Sequence, residues 1–227
     1  MTYELHNTDC LEFMKTIEDN KIDAIITDPP YGIDYQSARR TDRTQWKPKI
    51  QNDKEPFVEW VKDAYRITKD GGVLLCFYRW DVGEVFRGAV RAAGYVVKSE
   101  IIWDKVIHGM GDLDGAFAPC HENILFAVKG KFSFPGDRPR SIIRQKRVDA
   151  EKLIHPNEKP VALLENIILS VTHPNDTCFE PFAGSGSMAI ACHKTGRNFI
   201  GTELDKGYFD LAKNRIEQQT QQTVMFA

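Results

Sequence analysis

The sequence predicts an α/β fold in which a mostly parallel β-sheet is covered by helices on both faces. Three observations lead there. Seven short runs rich in β-branched or aromatic residues are bounded by Gly, Asp or Pro, as strands are. Between most of them lie stretches whose apolar residues recur at helical spacing, and strands alternating with helices build a mainly parallel sheet. Two of the strands then run into motifs that leave a sheet abruptly, Asp28-Pro29-Pro30-Tyr31 and Phe179 to Ser187.

The strand runs are Tyr3 to His6, Ile22 to Thr27, Val73 to Phe77, Val96 to Trp103, Asn123 to Val128, Thr177 to Glu180 and Asn198 to Thr202. The clearest helix lies between the second and third, where Phe57, Trp60, Val61, Ala64 and Tyr65 place one apolar face over about Pro56 to Thr68. Weaker faces run over Leu11 to Ile17, Val82 to Ala93, Val161 to Val171, Met188 to Lys194 and Gly207 to Gln218. The stretch from Val96 to Val128 has two strands and no helical pattern between them, so this pair is expected to be antiparallel. Residues 33–54 and 129–159 fit no regular element. They are locally basic, with 6 Lys plus Arg against 3 Asp plus Glu in the first and 9 against 4 in the second. A solvated loop is the plain reading of each, but loops this long inside a compact domain are usually functional or disordered. A glutamine-rich tail at 218–222 is expected to fray.

At 227 residues the chain suits a single domain, 1–227, with the two basic stretches as insertions. A net charge of -2 gives no global signature for a polyanionic partner, so such a partner has to be held by local patches. Five cysteines with no C-x-x-C pair, and no basic-then-apolar start, indicate a reduced cytoplasmic protein without a structural metal. No apolar run approaches a membrane span.

Asp28-Pro29-Pro30-Tyr31 stands at the end of the apolar run Ile22 to Thr27. Two prolines cannot continue a strand ladder, and each restricts the residue before it. What remains is a carboxylate, carbonyls with no competing proline N–H, and an aromatic ring. That set can accept hydrogen bonds from an exocyclic amine and stack on the ring that carries it. A strand stop followed by a turn is the plain alternative. The second motif, Phe179-Glu180-Pro181-Phe182-Ala183-Gly184-Ser185-Gly186-Ser187, joins a strand to a helix. Its glycines permit a tight turn, and the helix presents unpaired N–H groups. The next strand ends at Glu203, placed for ribose hydroxyls. Together these indicate a nucleoside-containing cofactor. No Gly-Lys-Ser/Thr follows, which excludes a Walker loop. Gly184, Gly186 and Ala189 satisfy G-x-G-x-x-G/A, so a nicotinamide dehydrogenase competes formally. Only one strand-helix-strand unit follows the loop, which argues against that fold.

The residues quoted resemble the beta-group DNA amino-methyltransferases, across nearly the whole chain. The resemblance rests on motif order: D-P-P-Y first, at Asp28 to Tyr31, and F-x-G-x-G-S later, at Phe182 to Ser187. Further matches are Asp9-Cys10, Lys69 to Gly72, Trp103-Asp104-Lys105, His121-Glu122 and His155 to Pro160. Family members usually carry Asp where this chain has Glu180, and Thr where it has Asn157 and Ser187. The resemblance implies a Rossmann-like S-adenosylmethionine-dependent methyltransferase fold: a seven-stranded, mostly parallel sheet with one antiparallel strand, in circularly permuted motif order. The first strand then lies beside the last, and the strand ending at Glu180 lies beside the one ending at Thr27, where the strand order reverses.

The resemblance also implies the activity, methyl transfer from S-adenosylmethionine to the N6 amine of an adenine flipped out of duplex DNA. Asp28, Pro29, Pro30 and Tyr31 are then the catalytic residues. Cofactor contacts fall to Asp9, Cys10, Asp28, His155, Lys159, Pro160, Glu180, Pro181, Phe182, Ala183, Gly184, Ser185, Gly186, Ser187, Glu203 and Leu204. Arg39, Arg40, Arg43 and Lys47 in the first basic stretch, and Arg138, Arg140, Arg144, Lys146 and Arg147 in the second, are the candidates for DNA phosphates and target recognition. Trp46 and Met110 could fill space around the displaced base, with packing inside the domain as the alternative. Asp9 with Glu12 also has capping-box spacing. Cytosine N4 needs the same amine trap; for it the family usually carries Ser at the position of Asp28, which favours adenine. RNA as substrate and a catalytically silent DNA-binding subunit stay open, as do a homodimer and a companion restriction endonuclease.

Overall fold

The computed structural model describes residues 2–32, 55–109, 115–149, 153 and 157–224. Among these residues, eight strands form one sheet: β1 (Tyr3–His6), β2 (Ile22–Thr27), β3 (Thr68–Tyr78), β4 (Val96–Asp104), β5 (His121–Val128), β6 (Ile142–Arg144), β7 (Thr177–Glu180) and β8 (Asn198–Thr202). Their order is β1-β8-β7-β2-β3-β5-β4-β6. Of these strands only β5 runs against its neighbours, β3 and β4, and the other pairings are parallel. The carboxyl ends of seven strands and the amino end of β5 therefore share one edge. β1 pairs with β8, and β7 with β2, as the permuted order requires. Chain order reverses between β7 and β2, which opens a crevice there.

The sheet exceeds the expected seven strands by β6, which lies inside the basic stretch read as irregular. Three residues carry too little periodicity to announce a strand; β6 is defined by its partner, with Ile102 opposite Ile142 and Asp104 opposite Arg144. The Trp103 indole also donates to the Gln145 carbonyl at 2.7 Å. β3 starts earlier than the apolar run indicated, because Thr68 pairs with Ile22 before Lys69 to Gly72 bulge away.

Among the described residues, six α-helices join the strands: α1 (Cys10–Thr16), α2 (Trp60–Ile67), α3 (Gly83–Ala93), α4 (Val161–Val171), α5 (Ser187–Thr195) and α6 (Lys206–Val224). Asp9 caps α1, accepting from the Leu11 and Glu12 N–H groups. The side chain of Glu12 turns to Lys15 at 2.7 Å. α2 buries Trp60, Val61, Ala64 and Ile67, the stripe its periodicity marks. α3 stops at Gly94, whose φ of +113° suits glycine and whose missing Cβ makes room for the Tyr65 ring. α6 continues through the glutamine-rich tail to Val224, which corrects the expectation of fraying. Helices α1 to α3 pack in one row and α4 to α6 in another. Ile25, Ile26, Leu74, Leu75, Ile124 and Phe179 form the dry core between the rows.

Candidate active site

The crevice is built where β2 and β7 end. Asp28 follows β2, and its side chain is only 14% exposed. Its Oδ1 accepts the Tyr31 hydroxyl and its Oδ2 is paired with the Lys159 ammonium. The Pro30 carbonyl accepts the Phe57 N–H at 3.1 Å, so of the two proline carbonyls that one is committed to the scaffold. The Tyr31 ring is buried, edge-on to Phe86 with centroids 6.3 Å apart.

Lys159 sits between two carboxylates, with Glu122 Oε2 3.2 Å from its Nζ and the Phe77 ring 5.0 Å below. That Glu122 oxygen is close enough to pair with Lys159 but is not aligned for a hydrogen bond. Its other oxygen lies 2.5 Å from Lys105. Burial pushes the Asp28 carboxyl above its usual range, while Lys159 pulls it down and Glu122 adds to the rise. Burial alone would lift Glu122 too, but Lys159 and Lys105 outweigh it and hold that carboxyl low. Lys159 is disfavoured by burial, yet the two carboxylates hold its ammonium above the ordinary value.

The glycine loop lines the other wall. Gly184 and Gly186 take φ of +52° and +73°, and the Gly184 N–H donates to Glu203 Oε2 at 2.8 Å. Glu203 Oε1 accepts the Asp205 N–H at 2.9 Å, so the acidic residue at the end of β8 also ties the loop down. Glu180 is buried, its Oε2 finds no hydrogen-bond partner among the described residues, and burial with Asp28 and Glu203 nearby pushes its carboxyl well up. A buried, unsatisfied acceptor at a ligand loop fits a bound group that supplies a donor or positive charge. Phe182 stands edge-on to Phe57 and Trp60, each 6.0 Å away, which joins the loop to α2. Ala183 and Ser185 are buried, and Pro181 offers its carbonyl to Thr202 Oγ1 at 2.6 Å. Ser187 opens α5 and meets the Ser185 hydroxyl at 3.1 Å.

The remaining sequence-marked residues are distributed as follows. Asp9 and Cys10 lie at the end of β1; Asp9 caps α1, and the buried Cys10 thiol is pushed up to about 12, chiefly by burial. Leu204 is 42% exposed beside Glu203. Pro160 caps α4 directly after Lys159. Arg138, Arg140, Arg144 and Lys146 are exposed and Arg147 is half-buried; Arg144 and Lys146 pair with Asp104 and Asp149. His155, Arg39, Arg40, Arg43, Lys47, Trp46 and Met110 lie outside the described residues. Sequence reasoning missed three supports. Asn7 holds the Glu203 and Leu204 carbonyls at 2.8 and 3.1 Å. Arg215 of α6 clamps Glu158 (2.7 Å) to the Ser185 carbonyl and the Ser187 hydroxyl (3.1 Å each). Glu122 and Lys105 belong to short matched motifs, but nothing in those motifs signals that the two pair.

The Asp-Pro-Pro-Tyr turn and the glycine loop thus face each other across the strand-order reversal between β7 and β2. The chain belongs to the N6/N4 DNA methylase family, which it matches over residues 22–214, and is an S-adenosylmethionine-dependent DNA amino-methyltransferase. It is 27% identical over 243 residues to the type II methyltransferase M.HpaI of Haemophilus parainfluenzae, spanning 96% of this chain and 76% of that protein. It superposes on the M1.HpyAVI–SAM complex with a TM-score of 0.71 at 27% identity, covering 94% of this chain and all of that one. The PvuII cytosine-N4 DNA methyltransferase shares the fold, with a TM-score of 0.72 at 14% identity over 97% of this chain and 92% of that one.

Proposed function

We propose that the chain methylates the N6 amine of an adenine swung out of duplex DNA. The supporting observation is the state of Asp28. Both of its oxygens accept from donors, Tyr31 and Lys159, so this buried carboxylate is held ionised and fixed as an acceptor at the mouth of the crevice. Aspartate rather than serine at this position favours adenine by family resemblance, whereas the fold accommodates either base.

In this reading Asp28 Oδ1 and the Pro29 carbonyl each accept one N–H of the amine. The nitrogen is drawn towards a pyramidal shape, with its lone pair free on the opposite side. Both bonds strengthen as the N–C bond forms and positive charge develops on nitrogen, so they favour the transition state over the ground state. The electron pair of the broken C–S bond stays on sulfur as a neutral thioether, and the surplus proton on nitrogen leaves along its hydrogen bond to Asp28 Oδ1 and passes to solvent. Tyr31 leaves Asp28 and stacks on the base, a contact worth about 1–3 kcal/mol. Glu180, Glu203, Asp9 and the glycine loop would hold S-adenosylmethionine, which would supply an electrophilic methyl group on a sulfonium. N6 is out of reach inside a duplex, hence the extruded base.

The DNA-facing side is the edge shared by the strand ends. Arg144, Lys146 and Arg147 stand at and beyond the carboxyl end of β6, on that edge, and are assigned to phosphates, whereas Arg138 and Arg140 precede β6, at its amino end. The connection between β4 and β5 rises from the same edge, tied by Lys105 N–H to the Cys120 carbonyl (2.8 Å) and Gly109 N–H to the Pro119 carbonyl (2.7 Å). Phe117 on it is fully exposed, and we assign its ring to the space that the extruded base vacates. The test is methyl transfer from labelled S-adenosylmethionine to duplex DNA, single-stranded DNA and RNA, with the product nucleoside identified by mass spectrometry. N6-methyladenine in duplex DNA is expected; N4-methylcytosine, or label in RNA alone, overturns the assignment.

A further inference from the structure

We infer that Glu122, anchored by Lys105, is a positioning residue for methyl transfer: acting through Lys159, it fixes which oxygen of Asp28 is offered to the target amine. The inference rests on the amine-trap reading of Asp28. Lys105, Glu122, Lys159 and Asp28 form an unbroken chain of ion pairs, from the foot of the β4–β5 connection to the end of β2. β3 lies between β5 and β2 in the sheet, and Lys159 spans it above the Phe77 ring.

The chain carries two positive and two negative charges, so it is neutral as a unit. A cluster this buried is a poor device for stability, because desolvating its members offsets much of their attraction. What it does supply is geometry. Lys159 has a long side chain, and a single carboxylate would leave its ammonium several ways to approach Asp28. Held between Glu122 and Asp28, it is confined to Asp28 Oδ2. Oδ1 is then the oxygen that exchanges partners between the Tyr31 hydroxyl and an incoming amine. Lys105 neutralises the far oxygen of Glu122, so that Glu122 does not draw Lys159 away from Asp28.

The groups facing Asp28 are Tyr31 from its own loop, Lys159 from before α4, Glu122 from β5, Glu180 from β7 and Cys76 from β3. Glu122 raises the Asp28 pKa and Lys159 lowers it. Removing one or the other should therefore move the acid limb of the pH–rate profile in opposite directions, which loss of packing would not do.

The experiment compares wild type, Glu122→Gln, Glu122→Asp, Lys159→Met and Asp28→Asn as full chains. It measures kcat against pH, DNA KM, S-adenosylmethionine affinity by calorimetry, and thermal melting. Glu122→Gln should lower kcat on the order of 10- to 100-fold, as for a misplaced reacting group, leave KM and cofactor affinity within about twofold, and shift the acid limb to lower pH. Glu122→Asp should recover part of kcat. Lys159→Met should shift the limb to higher pH; because it strands two buried carboxylates it can also unfold the chain, so the near-isosteric Glu122→Gln carries the test. The inference is overturned if Glu122→Gln keeps wild-type kcat, or if kcat falls while the limb stays in place. Retained turnover in Asp28→Asn would instead refute the amine trap itself.

Discussion

Removing one oxygen, in Tyr31→Phe, tests whether the tyrosine hydroxyl holds the seat of the target amine. That hydroxyl donates to Asp28 Oδ1, with Tyr31 8% exposed and the Asp28 side chain 14% exposed. A hydrogen bond to a charged partner is worth about 1.5–3 kcal/mol, and a buried acceptor left unsatisfied costs about 1–3 kcal/mol. Phenylalanine keeps the stacking ring and strips the donor. The free protein should thus lose about 1–3 kcal/mol of stability, a fall in Tm of roughly 2–12 °C for a chain of this size. The DNA-bound state does not use that bond, so the same free energy should appear as tighter target binding, roughly 5- to 150-fold in Kd. Thermal melting and fluorescence anisotropy with a duplex substrate measure the two sides independently. Equal and opposite shifts are expected. Weaker DNA binding with unchanged stability would refute the placeholder reasoning, since the hydroxyl would then act on the base and not in its absence.

Four other perturbations follow from the site and the DNA-facing edge. Burial holds the folded-state pKa of Glu180 well above its ordinary 4.5, so the stability linked to that proton is complete below about pH 4.5 and is lost as pH rises towards the folded value. Melts of the ligand-free protein between pH 5 and 8 should show Tm falling with pH, and Glu180→Gln should remove part of that slope. A Cβ at Gly186 would stand 3.0 Å from Ile216 Cδ1 and 3.2 Å from Ala212 Cβ at a φ of +73°. Gly186→Val should cost on the order of 1–3 kcal/mol in backbone strain alone and abolish cofactor binding by calorimetry. On the DNA-facing edge, Arg144→Ala with Lys146→Ala should reduce the slope of log Kd against log salt by about 2, one for each phosphate left without its cation. Phe117→Ala should leave cofactor affinity intact and weaken the fluorescence rise of 2-aminopurine at the target position; an unchanged rise would remove Phe117 from the gap.

Much of the framework was legible because its signals are local. β1, β2, β7, β8 and α4 have the limits that their apolar runs and flanking breakers indicate. Both motifs stand at strand ends because prolines and glycines act on their own backbone. β6 was not legible, since a three-residue strand among basic residues exists only through Ile102, Trp103 and Asp104 opposite it. The reach of α6 was missed because glutamine-rich composition signals solvation and does not by itself end a helix.

Sequence alone determined the chemistry on offer: a carboxylate, proline carbonyls and a ring at one strand end, and a glycine loop with an acidic partner at two others. Tertiary structure decided their electrostatic state. Asp28, Glu122, Lys105 and Lys159 occur in four separate parts of the chain, and nothing in any one of them indicates that they share a buried cluster. Charge interactions and burial depend on distance in space and on the loss of water, and neither is written in local sequence.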